Sequence, residues 1–142
     1  MKTKSTDELL DTLMKSDDID AYLEGNRADF TNRTLSALLT TILENKGLVK
    51  SDVIHKTEMS EVMGYQIFSG VRKPSRDSLI SICIAMQLEL SEVQDLLKYA
   101  GFGLLYPRNV RDSVLIHGIC KKLTVPQINE LLFDRNEKTL NQ

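Results

Sequence analysis

The imidazole and thiol side chains of this sequence are His55, His117, Cys83 and Cys120. They are the residues that could hold a metal or act as a nucleophile. His117 and Cys120 are three positions apart, a spacing that puts both on one face of a helix. A metal site needs a second pair of ligands beside the first. None accompanies them, and His55 stands alone. Both cysteines lie within apolar helical patterns, so they are expected to be buried, reduced thiols, as a reducing compartment favours. There is no glycine-rich phosphate loop, no HExxH and no nucleophile with a recognisable base. The expectation is therefore a protein that is not an enzyme and uses no metal or cofactor. The chemistry left is charge. Lys50, Lys56, Arg72, Lys73 and Arg76 are five cations in one short stretch, and cations are what hold a protein on phosphates.

Total charge does not announce such a partner, because the net charge is −2. Its distribution says more. Residues 1–30 carry 4 basic and 8 acidic side chains, whereas residues 31–75 carry 6 and 4. The small positive excess therefore falls over the five cations, behind an acidic N-terminal arm. The longest apolar stretches are a few residues, too short to span a membrane. MKTKSTDELLD lacks the apolar core of a secretory signal. A cytoplasmic protein is expected.

The elements that must position these residues all read as helices. At 142 residues, one domain with a real core is expected. Alternating strand patterns are absent, and Pro74, Pro107 and Pro126 each fall near a helix start or in a loop. In STDELLDTLMKS, Ser5 and Glu8 make a capping box ahead of an apolar stripe. DDIDAYLEGN follows as a shorter helix. In TNRTLSALLTTILENKG, Leu35, Leu38, Leu39, Ile42 and Leu43 share one face, and Gly47 suits the C-terminal cap. VKSDVIHKTEM is a short helix. Ser60 caps the next, Ser75 caps SRDSLISICIAMQL, and Ser91 caps SEVQDLLKYAG. VRDSVLIHGICKKL and TVPQINELLFD form a final pair, and the polar tail RNEKTLNQ is expected to fray.

An internal repeat runs at an offset of 35. Arg76–Leu97 aligns without a gap on Arg111–Leu132, with identities at Arg76/Arg111, Asp77/Asp112, Ser78/Ser113, Ile84/Ile119, Leu88/Leu123, Leu96/Leu131 and Leu97/Leu132. Two copies are too few for a solenoid, so they read as two stacked helix pairs. In the repeated Arg-Asp-Ser, Asp complements the helix dipole and Ser can satisfy a free N–H.

The order of short helices from Thr34 to Gly101 resembles the Cro/repressor-type (Xre-like) helix-turn-helix family of transcriptional regulators. SGVRKPSRDSLISICIAMQL is similar to that family's SG-x-R-x-P-S loop and following helix. STDELL and LLYPRNVRD are similar to elements of a family of about this length from Gram-positive bacteria, and with them the resemblance covers nearly the whole chain. It implies an all-α, lambda-repressor-like five-helix domain at residues 31–101. Residues 1–30 would be an acidic helical arm, and residues 102–142 a C-terminal helix pair packed on the same core.

The resemblance also implies roles. Ser60 would cap the recognition helix, with Val53, Ile54, Ile67 and Phe68 as its apolar anchors. Glu61, Val62, Tyr65 and Gln66 would face base edges, and Arg72, Lys73 and Arg76 would clamp phosphates. The partner would be double-stranded DNA, bound by a homodimer whose half-sites lie about one helical turn apart. Val110–Phe133 is the first candidate for the dimer surface, unless it simply completes the core. Two departures stand out. Glu58 occupies the turn where the family often has glycine, and Gly64 replaces a small apolar residue, at a cost of roughly 1 kcal/mol against alanine. The recognition helix has no basic residue. The alternative is therefore an interaction adaptor that kept the fold but not DNA, with Tyr65 or the acidic arm engaging a protein partner.

Overall fold

The computed structural model describes residues 5–25 and 34–141. Every regular element among them is a helix, so the chain is all-α. None of these helices is long and apolar enough to cross a membrane. The chain divides into two compact units, residues 1–33 and residues 34–142. The expected boundary between residues 30 and 31 lies outside the described residues.

The first unit holds α1 (Thr6–Lys15) and α2 (Ile19–Gly25). The Glu8 N–H donates to Ser5 Oγ at 3.2 Å, as the capping pattern predicts. Lys15 and Asp11 add an exposed ion pair one turn apart. α1 buries no residue, and Leu10, Leu13 and Met14 are exposed.

The second unit holds α3 (Leu35–Asn45), α4 (Lys50–Thr57), α5 (Glu61–Ser69), α6 (Arg76–Ala85), α7 (Leu90–Tyr99), α8 (Val110–Cys120) and α9 (Val125–Asp134). One core runs through all seven. Leu39, Ile54, Ile67, Leu79, Leu97, Leu115, Ile128 and Leu132 belong to the same buried cluster. The C-terminal pair α8–α9 therefore completes the core. Caps follow the sequence at Ser60 and Ser75, whose side chains accept from Met63 N–H and Ser78 N–H. α7 differs: it starts after Glu89, not Ser91, because Glu92 reaches back to accept the Glu89 N–H at 3.0 Å.

The repeat becomes a pseudo-two-fold. Arg76 gives both terminal nitrogens to the Asp112 carboxylate at 3.3 and 3.2 Å, and Arg111 gives both of its own to Asp77 at 3.0 Å each. Arg76 Nε donates to the carbonyl of Gly103, and Arg111 Nε to that of Lys138, its repeat equivalent. At the other end of the same helices, Gln87 Nε2 donates to the Lys122 carbonyl and Lys122 Nζ to the Gln87 carbonyl. Gln87 and Lys122 share a left-handed backbone, at φ 56° and 57°. Contacts in which i meets j while j meets i are the mark of a two-fold relation. The repeated aspartates thus act mainly as partners for the arginine of the other copy.

The tail does not fray. Leu140 is buried, its N–H donates to Asn129 Oδ1 at 2.8 Å, and Arg111 holds the carbonyl of Lys138 at 2.8 Å.

The cysteines also differ from expectation. Cys83 is buried, but Cys120 is exposed. In the repeat register Cys120 corresponds to Ala85, on the helix that α4 covers, and no helix of this unit takes α4's place over α8. Burial pushes the Cys83 thiol up to about 12, with the Glu92 charge adding to it. A folded-state value above the ordinary 9.0 means that the native state holds this proton more tightly than the unfolded chain. The contribution is complete below pH 9 and should be lost progressively as pH rises from there toward 12. Native protein should show one thiol reacting quickly with Ellman's reagent, and denatured protein two. Two fast thiols in the native state would contradict the burial of Cys83.

Candidate nucleic-acid interface

α4 and α5 are joined by residues 58–60, and the turn is built from specific bonds. Thr57 Oγ1 is buried, donates to the Ile54 carbonyl at 2.5 Å and accepts from the Met59 N–H at 3.2 Å. Glu58 takes the left-handed conformation at φ 63° and ψ 6°. A side chain there is strained by about 1–2 kcal/mol, so the turn keeps a tight geometry without the expected glycine. Val53, Ile54, Ile67 and Phe68 are all buried, as the apolar anchors require.

At Gly64 the backbone of α5 lies directly against the Ile54 side chain of α4. A Cβ there would lie 2.5 Å from Ile54 Cγ2 and 2.9 Å from Cγ1. The glycine's low helix propensity is offset by this close approach.

The outer surface of α5 carries Glu61, Val62 and Tyr65, all exposed, with Gln66 half-buried beside them. Val62 is 68 % exposed. Arg72 fastens Gln66 at two points: Arg72 Nε donates to Gln66 Oε1 at 3.0 Å, and the Arg72 N–H donates to the Gln66 carbonyl at 3.2 Å. The Gln66 amide is thereby oriented, with its NH2 and one carbonyl lone pair still free to act. Glu61 lies 3.9 Å from His55 Nδ1, both highly exposed, so that contact contributes little.

The cations do not gather as the sequence suggests. Arg72 and Lys73 are exposed beyond the end of α5. Arg76 is not available as a phosphate clamp. Its guanidinium is spent on Asp112 and on the carbonyls of Gly103 and Leu104, and it is 27 % exposed. Lys50 places its ammonium 5.9 Å from the centre of the Phe68 ring. Lys56, Arg72 and Lys73 face solvent, but so do Asp52, Glu58 and Glu61. The surface is close to electrically balanced.

Two residues were missed. Val71 is 78 % exposed beside Arg72, an apolar tip that helical periodicity does not flag. Lys138 lines a cavity of about 680 Å3 together with Ser60, Met63 and Ser75. It comes from the tail expected to fray, so only the docking of that tail brings it near the start of α5.

Among the described residues no group of three histidine, cysteine or acidic side chains could hold a metal ion. Compared with protein-family models, curated protein sequences and solved structures, the chain has no match.

Proposed function

We propose that residues 34–142 form a lambda-repressor-like regulator that binds specific DNA sequences, with α4 and α5 as its helix-turn-helix and α5 in the major groove. The observation that carries this reading is the Gln66–Arg72 pair at the end of an anchored helix whose outer face is otherwise open. A braced glutamine can recognise adenine, Val62 can meet a thymine methyl, and Glu61 can accept from cytosine N4. Arg72 and Lys73 reach phosphates. Two such contacts give a salt dependence of only about two log units per log unit of salt. Affinity must then come largely from base edges and from a second copy on a palindromic site.

The test is selection of bound sites from a random duplex pool at low and moderate salt. A palindrome should emerge. On that site Gln66→Ala should cost roughly 1–3 kcal/mol at one base pair and relax specificity there. Lys73→Ala should weaken all sequences alike and lower the salt slope by about one unit. Arg72→Ala should do both, because it removes a phosphate contact and the brace on Gln66. If no sequence is enriched at either salt, the reading fails.

A second reading, an interaction adaptor, is favoured by one observation: Val62, Tyr65 and Val71 are exposed apolar side chains near a surface of balanced charge. Aromatic anchors dominate protein interfaces. In that case Tyr65→Ala abolishes capture of a protein partner, and Gln66→Ala leaves it intact.

A further inference from the structure

The pseudo-two-fold leaves one surface without its counterpart. In the first helix pair, Leu79, Ile82 and Leu96 are buried in the core shared with α3–α5. Their register equivalents in the second pair are Val114, His117 and Leu131. These three line an open groove of about 430 Å3 between α8 and α9. Nothing in this unit covers α8 as α4 covers α6. The face that receives helices in the first pair is therefore left open by this unit in the second.

The rim of the groove is cationic. Arg108 and Arg135 line it with Val110, and no aspartate or glutamate does. Arg108 makes no ion pair among the described residues, and Arg135 uses one terminal nitrogen on the Leu131 carbonyl at 3.0 Å. His117 replaces the Ile82 of the first copy, so a polar ring stands where the filled version has an alkyl group.

We propose that the α8–α9 groove docks an acidic amphipathic helix of a partner protein. Apolar residues at helical spacing would lie on Val110, Val114 and Leu131, as in other helix-in-groove complexes. Carboxylates on the flanks would meet Arg108 and Arg135, which suit bidentate recognition. This site does not involve α5, so it stands or falls independently of DNA binding.

The test is an NMR titration of the full chain with three probes. One is a synthetic helical peptide of leucine, alanine and glutamate with leucines at i, i+3, i+4 and i+7. The second has lysine for every glutamate. The third is inorganic phosphate. The acidic peptide should saturably shift the amides of Val110, Val114, His117 and Leu131, and the lysine peptide should not. Charge reversal by Arg108→Glu with Arg135→Glu should weaken the acidic peptide by about tenfold or more and confer binding of the lysine peptide. That gained binding also shows that the variant is folded. The proposal is overturned if both peptides bind alike, if the shifts centre on Val62 and Tyr65, if charge reversal changes nothing, or if phosphate alone saturates the same amides.

Discussion

Asp112→Ala should destabilise the second unit by about 2–4 kcal/mol, measured by chemical denaturation. The carboxylate accepts from both terminal nitrogens of Arg76 and from the Tyr106 N–H at 3.0 Å. Its removal strands a half-buried guanidinium and a backbone donor together. Breaking a fully buried pair costs about 3–5 kcal/mol, and the 27 % exposure of Arg76 places this pair somewhat lower. The mirror change, Asp77→Ala, should cost a similar amount. It should also speed hydrogen exchange at Leu140, because Arg111, which holds the tail through the carbonyls of Lys138 and Thr139, then loses the carboxylate that fixes its guanidinium. A double-mutant cycle between positions 76 and 112 should give a coupling of at least about 1 kcal/mol. A loss below about 1 kcal/mol for Asp112→Ala would reduce the pair to the worth of a surface ion pair.

Gly64→Ala should destabilise by about 1–2 kcal/mol, although alanine is the better helix former by roughly 1 kcal/mol. The new methyl meets Ile54, which is buried on all sides, so α5 has to move away from α4. A displaced α5 would also weaken any partner that reads Val62, Tyr65 and Gln66. The decisive comparison is the same substitution in an Ile54→Ala background. There the two nearest atoms are gone and only the Cβ of residue 54, at 3.2 Å, has to ease aside, so Gly64→Ala should become stabilising by up to about 1 kcal/mol. No change of sign between the two backgrounds would mean that the helices are not held apart by this contact.

The boundaries of these helices and the buried positions were largely legible, because caps and apolar spacing are local signals. Ser60, Ser75, Ile54 and Phe68 take the places their neighbours dictate. The start of α7 was not, since Ser91 is a better intrinsic cap than Glu89 and only the reach of Glu92 decides between them. The repeat was visible as identity at an offset of 35, but identity does not say how two copies meet. Only the two-fold relation shows that Arg76 answers Asp112 and not its own neighbour Asp77, and this withdraws Arg76 from the set of candidate phosphate contacts. For the same reason Cys120 read as buried. Its helix has the sequence of a covered one, and what would cover it is not part of the repeat. The open surface of α5 was legible as a set of residue types. The brace from Arg72 to Gln66 was not, because it depends on how the chain turns after Gly70.

The pseudo-two-fold also has a consequence in mass action. Two separate helix pairs meeting through such reciprocal bonds would associate as a dimer and come apart on dilution. Here residues 100–109 tether them, so the junction forms within one chain at the high effective concentration that a short linker imposes. The junction survives at any protein concentration, and its two halves are always present in equal number. Because each pair already occupies the matching face of the other, a second copy of the chain competes for it only against that effective concentration. Self-association that leaves the fold of each chain intact has to use a different surface.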